Sequence, residues 1–281
     1  MREKTSARHE LVRLKGGALA VRSLVDGEVM HPGVGPQREA QELYVAQSRL
    51  AERLVAAAPR PLVLFDVGLG AGTNALAARA VSEACTTEGA QLQIVSFERD
   101  LDALDLALQH AGELGIDDDA RVAATALLRG GRHTTHHTDW QLRLAELREA
   151  LAREPARADL IFWDPFSPRA NPTLWSVAAF ALLLRCAAPR CLLVTYSGST
   201  RVRLALLLAG WCVGIGAAIG DKAQTTVAAL DAADLERPLD GAWLKKRADP
   251  TTPWPDDAPP DALATLARHP QFAAASRSDA R

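Results

Sequence analysis

Leu62-Val63-Leu64-Phe65-Asp66-Val67-Gly68-Leu69-Gly70-Ala71-Gly72-Thr73-Asn74 passes from an apolar run into three glycines at alternate positions, and then into an alanine-rich stretch. An apolar run without alternation is what a parallel strand buried on both faces requires. The glycines allow a sharp turn and close backbone approach, and the helix they open offers free N–H groups. Outward from this stretch the texture repeats. Residues 92–97 read as a second strand ending at Glu98, and residues 100–115 as a helix with Asp100 as its cap. Further strand-like runs occupy 140–144, 160–163, 191–196, 211–215 and 225–230, with helical patterns at 174–186 and 202–210. Such alternation means a doubly wound α/β sheet, mostly parallel, with helices on both faces. The last two strands stand too close for a helix between them, which predicts one reversed strand.

The flanking regions differ. Residues 11–25 alternate weakly around Gly16 and Gly17 and read as a small β-hairpin, followed by a glycine- and proline-rich loop from Met30 to Pro36. Leu43, Val45, Leu50 and Leu54 recur at helical spacing over 37–58, whereas 116–138 read as polar and irregular. Beyond Asp231 the chain turns rich in Pro, Asp and Ala, an irregular tail. The expected organisation is a hairpin-and-helix region at 1–58, a ligand-binding core at 59–231 and a partly disordered surface extension at 232–281.

Composition narrows the function classes. The 281 residues are 48% hydrophobic, enough for a substantial core, and 32 Lys plus Arg against 34 Asp plus Glu leave a net charge of −2. That balance gives no general pull toward nucleic acid, so RNA binding would need a local basic patch. Met1 to Glu10 lack the apolar run of a signal peptide and no membrane-length apolar stretch occurs, so a soluble cytoplasmic protein is expected. Cys85, Cys186, Cys191 and Cys212 form no C-x-x-C pair and read as core thiols. His133, His136 and His137 lie in a polar stretch without cysteine partners, and no metal is expected there.

Three sites carry chemistry. An acid two residues before G-x-G-x-G is the usual first motif of S-adenosylmethionine methyltransferases, whereas a dehydrogenase-type fingerprint would want glycine where Thr73 stands. The resemblance implies a cofactor set of Asp66, Gly68, Gly70, Gly72 and Asn74, with Asp66 facing the positively charged methionine end; a purely structural glycine turn is the alternative. Glu98, at the end of the next strand, suits the two ribose hydroxyls of a nucleoside, or simply caps a helix. Asp164 ends an apolar strand before Pro165 and can orient an amine nucleophile, or serve as a turn acid.

The stretch Asp164-Pro165-Phe166-Ser167-Pro168-Arg169-Ala170-Asn171-Pro172-Thr173-Leu174-Trp175 resembles the methyltransferase domain of MnmC-type enzymes. Those enzymes methylate the aminomethyl group of 5-aminomethyl-2-thiouridine at the tRNA wobble position. The likeness continues at residues 195–199 with Arg201 and Arg203, at Gly220-Asp221-Lys222 and 96–99, and weakly over 31–42, spanning roughly residues 12–230. It implies a Rossmann-like sheet that binds S-adenosylmethionine through Gly68, Gly70 and Glu98. It also implies catalysis at Asp164, and an acceptor wall that includes His31, Phe166, Tyr196 and Lys222. His31 reads equally as a simple loop histidine.

The chain departs from the family in places. The family's Gly-Asp after the third strand is Ala145-Glu146 here, so Glu146 reaches the adenine with a longer arm or Asp139 substitutes for it. No flavin domain follows, so only the methyl-transfer step is expected. Arg201, Arg203, Lys222, Lys245 and Lys246 are candidates for a tRNA-facing patch, or ordinary solvated charges. Three functions stay open: a tRNA wobble-uridine methyltransferase, a small-amine methyl- or alkyltransferase, and a non-catalytic S-adenosylmethionine-binding protein.

Overall fold

The computed structural model describes residues 8–31, 33–220 and 223–273. An N-terminal hairpin, β1 (His9–Arg13) and β2 (Leu19–Ser23), precedes a short helix, α1 (Pro36–Glu39). That helix runs on as a π-helical segment, Ala40–Ala46, and α2 (Leu50–Ala57) follows after a break. The core is β3 (Leu62–Val67), α3 (Thr73–Glu83), β4 (Leu92–Glu98), α4 (Asp102–Gln109), α5 (Asp118–Gly130), β5 (Arg132–Thr134) and β6 (Thr138–Leu144). It continues with α6 (Leu147–Arg153), β7 (Ala158–Trp163), α7 (Val177–Arg185), β8 (Ala187–Thr195), α8 (Thr200–Leu208), β9 (Cys212–Gly216) and β10 (Thr225–Ala229). Three short helices close the described chain, α9 (Gly241–Lys245), α10 (Ala262–Ala267) and α11 (Pro270–Ala273).

The eight-stranded sheet has the order β5-β6-β4-β3-β7-β8-β10-β9. From β6 to β8 every pairing is parallel, and β10 is the reversed strand, antiparallel to both β8 and β9. β5 adds a second, short antiparallel edge. Because β3 pairs with β4 on one side and β7 on the other, the chain's winding reverses there, and a crevice opens beyond their carboxyl ends.

Side-chain alternation divides the core. Phe65, Val67, Val95, Phe97, Ile161 and Trp163 pack on one face against α7 and α8; Leu62, Leu64, Ile94, Leu160 and Phe162 pack on the other against Leu43, Leu50 and α3. Cys186, Cys191 and Cys212 are buried free thiols and Cys85 is half-buried. Among the described residues no helix is long and apolar enough to cross a membrane.

Three expectations need correction. The segment read as irregular over 116–138 contains α5, capped by Asp117 accepting from the Ala120 N–H at 2.8 Å, and then β5. The helix expected over 37–58 is interrupted, with a π-helical stretch and then Arg49 in the left-handed region at φ 53°. The described part of the tail is stitched to the sheet, since Leu239, Leu244, Leu266 and Phe272 join the core and the Gln271 amide bonds Val213 and Leu239. Residues 274–281 lie outside the described residues.

Candidate active site

A cavity of about 360 Å³ fills the crevice above β3, β4, β6 and β7. Gly68 and Gly70 form its floor, Glu98 and Glu146 one side, and Asp164, Phe166 and Tyr196 another, with Met30 and His31 arching over from the N-terminal region. Gly68 must be glycine: at φ 87°, a Cβ would lie 2.7 Å from the Asp164 carbonyl oxygen, because the two loops meet backbone to backbone. The contact is clamped on either side by the Gly68 N–H to Phe97 O at 3.1 Å and the Asp164 N–H to Val67 O at 2.9 Å. The Gly70 N–H donates to Glu98 Oε2 at 3.0 Å and the Arg99 N–H to Oε1 at 2.8 Å, so one carboxylate ties the glycine loop to the end of β4. Burial holds the Glu98 carboxyl above its ordinary range.

Asp164 is the most constrained acid of the cavity. Its Oδ1 accepts from the Tyr44 hydroxyl at 2.7 Å and its Oδ2 from the Asn74 amide at 2.7 Å. His31 Nε2 lies 3.6 Å from Oδ2, and His31 Nδ1 lies 4.0 Å from Glu39 Oε2. Burial raises the Asp164 carboxyl above the usual carboxylate range, with Glu39 adding to the shift while His31 and the two hydrogen bonds oppose it. Behind it, the Tyr196 hydroxyl donates to Pro165 O at 3.1 Å, and Ser167 bonds Glu28 through its N–H at 2.9 Å and its hydroxyl. The wall is rich in acids (Asp26, Glu28, Glu39, Glu98, Asp100, Glu146, Asp164), with Arg8 and Arg99 the arginines, so it suits a cationic occupant.

Other expected residues fall elsewhere. Asp66 is 1% exposed and does not line the cavity; its carboxylate sits between strands, accepting from the Ser96 hydroxyl at 2.7 Å. As the alternation of Leu62, Leu64 and Asp66 dictates, it points into the sheet face and away from the crevice. Gly72 sits at φ 83° where a Cβ would meet Leu104, so it serves helix packing. Asn74 touches Asp164, and the cavity wall does not include it. Glu146 lines the cavity, whereas Asp139 pairs with Arg132 at 2.8 Å near the amino end of β6, roughly 16 Å of strand away from Leu144. Lys222 lies outside the described residues. Of the basic residues considered for a tRNA-facing patch, Arg203 is buried against Thr226 and Gln224 and Arg201 pairs with Asp256, whereas Lys245 and Lys246 are exposed. Among the described residues one group of closely spaced metal-type donors is His9 with Asp100 and Asp102, and Arg8 lies 3.5 and 3.6 Å from the two acids.

Sequence reading missed Glu28, Met30, Glu39 and Tyr44. The one signal in the sequence was their clustering just before and within the helix that precedes β3.

A family model described as S-adenosyl-L-methionine-dependent methyltransferase matches residues 125–231. With the sheet order, the glycine loop and the acid ending β4, it defines the class: this chain is an S-adenosyl-L-methionine-dependent methyltransferase. The tRNA 5-methylaminomethyl-2-thiouridine biosynthesis bifunctional protein MnmC of Pseudomonas aeruginosa (strain UCBPP-PA14) is 32% identical over 200 residues, 66% of this chain and 30% of that protein. MnmC of Azoarcus sp. (strain BH72) is 33% identical over 205 residues, 70% of this chain and 32% of its own length. The crystal structure of MNMC2 from Aquifex aeolicus matches with a TM-score of 0.71 at 26% identity, covering 95% of this chain and 86% of that one. The chain is therefore homologous to a methyltransferase portion of the MnmC proteins, and it spans about a third of the length of the curated relatives it matches.

Proposed function

We propose that this protein transfers the methyl group of S-adenosylmethionine to the primary amine of an aminomethyl group on a tRNA wobble uridine, in the cytoplasm. The observation that carries the reading is Asp164. Tyr44 and Asn74 hold its carboxylate at the sheet's crevice, at the start of the stretch whose motif resembles that of MnmC-type enzymes, and the chain's relatives are named for biosynthesis of that modified tRNA nucleoside. The glycine floor, whose Gly70 sits with backbone N–H groups beside Glu98, fits a nucleoside, and the acid-rich wall fits the positive charges of the cofactor. When bound, S-adenosylmethionine supplies a methyl group on a positively charged sulfur. Glu98 offers oxygens to ribose hydroxyls, and Glu146, which lines the same cavity, is the acid proposed to reach the adenine edge. Asp164 orients the acceptor amine and stabilises the positive charge that develops on it. Phe166 and Tyr196 present flat walls for a base swung out of its stack.

A second reading, a small amine as acceptor, is favoured by the same acids and by the burial of Arg203. Mass spectrometry of tRNA nucleosides from cells lacking the gene separates the two. Accumulated aminomethyl-thiouridine at the expense of its methylated form supports the tRNA acceptor. An unchanged nucleoside profile, with the purified enzyme methylating a small amine, rejects it.

A further inference from the structure

Methylation of an amine needs a nitrogen lone pair, yet an alkylamine is protonated near neutral pH, as lysine is. The proposed acceptor must therefore lose a proton inside a site whose side chains are almost closed to water. The Asp164, His31 and Glu39 side chains are 12%, 8% and 4% exposed. Asp164, held by Tyr44 and Asn74, orients the amine and stabilises its positive charge only while it remains a carboxylate, so the departing proton needs a second acceptor.

His31 stands beside it. It lines the same cavity, its Nε2 is 3.6 Å from Asp164 Oδ2, and its other ring nitrogen faces Glu39 at 4.0 Å. The backbone at His31 is left-handed, with φ at 53°, a conformation that costs a residue with a β-carbon and that clusters at functional sites. His31 also borders a second cavity of about 450 Å³, which adjoins the first at Met30, His31 and Ala71 and gives a proton a path outward past Thr73 and α3. Charged groups surround it on every side: Glu39 from α1, Asp164 from the end of β7 with the Tyr44 hydroxyl behind it, and Arg79 with Glu83 and Asp119 across the second cavity.

We propose that His31 is the proton acceptor of the amine site. A nitrogen–hydrogen bond of the bound ammonium breaks, its electron pair stays on the amine nitrogen, and the proton passes to His31 Nε2. Glu39 and Asp164 then flank the imidazolium until it discharges its proton to solvent. The secondary ammonium formed by methylation keeps its own two hydrogens. The role rests on the amine-acceptor reading above.

The test is single-turnover methylation of tRNA that carries the unmethylated aminomethyl group, at saturating S-adenosylmethionine, from pH 6.5 to 9.5. His31→Asn is the variant of choice because asparagine tolerates the left-handed backbone, and Glu39→Gln is the second. The expected deficit of His31→Asn is about a hundredfold at pH 7, the scale of general-base catalysis, closing to about tenfold or less at pH 9.5, where roughly a tenth of an amine as basic as lysine arrives already neutral, against well under about a thousandth at pH 7. Glu39→Gln should follow the same trend with a smaller deficit. Calorimetric affinity for S-adenosylmethionine should stay within about twofold of wild type for His31→Asn, and saturation is verified in the same way for Glu39→Gln, so that any lost attraction for the cofactor's charge does not enter its rate. A deficit that is constant across pH, or no deficit, overturns the proposal and leaves His31 as a packing residue. Wild-type enzyme that transfers nothing to this tRNA at any pH overturns the acceptor reading, and with it the proposal.

Discussion

Asp66 and Asp164 leave neighbouring strands, yet their surroundings set them apart. Asp164 has two donors and an imidazole; Asp66 has the Ser96 hydroxyl, itself held by the Trp140 indole N–H at 2.9 Å, and its Oδ1 has no hydrogen-bond partner. Burial pushes the Asp66 carboxyl up to about 7, with the charges of Asp164 and Glu98 adding to it. In the unfolded chain it titrates near its ordinary 3.8. Between those values the unfolded state releases a proton that the folded state keeps, so rising pH weakens the fold across that window. About three pH units at about 1.4 kcal/mol each make the loss roughly 4 kcal/mol, complete near pH 7. Urea unfolding at pH 5 and pH 7.5 should show wild type losing a few kcal/mol more than Asp66→Asn does. Parallel losses would mean that Asp66 ionises freely in the fold. At this scale the sequence was legible where one residue ends one strand. Glu98 and Asp164 could be found that way, but the Tyr44 hydroxyl could not, because its partner stands 120 residues further along the chain.

Among the elements, the turn between β3 and α3 shows how glycines with similar backbones differ in consequence. At Gly68 an added Cβ meets the Asp164 backbone at 2.7 Å, and neither loop can retreat without breaking the clamp. At Gly70 it meets the Met30 sulfur at 3.1 Å, the far part of a flexible side chain. Gly68→Ala should therefore cost about 3 kcal/mol or more in urea unfolding, and Gly70→Ala about 1 kcal/mol, both including left-handed backbone strain. Equal costs would show that the two loops are not in rigid contact. The elements that sequence missed were missed for physical reasons. α5 opens with Asp117, Asp118 and Asp119, which look like a solvated loop but form a cap and a dipole-favourable first turn. Its buried face is Ala123, Ala124 and Leu127, too small to mark a helical period strongly. The π-helical stretch breaks the 3.6-residue period just where Tyr44 must turn toward Asp164.

For the molecule as a whole, topology accounts for the site. The winding reversal at β3 brings the glycine loop, Glu98 and Asp164 to one crevice, and the N-terminal region closes it with Met30, His31 and Glu39. The parallel core was readable from its apolar runs because each strand is buried on both faces. The roof was not, since its residues gain meaning only from contacts made across the fold. A chain with net charge −2 concentrates acids at one cavity, which favours cationic cofactor and amine alike. The most direct test of amine methylation at Asp164 is single-turnover transfer by Asp164→Asn to the unmethylated tRNA, with S-adenosylmethionine affinity measured alongside. The substitution keeps the shape but removes the charge, so the rate should fall about a hundredfold or more while cofactor affinity changes less than about fivefold, as expected for one positioned electrostatic group. Wild-type rates would remove Asp164 from the chemistry, and a matching collapse of cofactor binding would contradict its assignment to the acceptor amine.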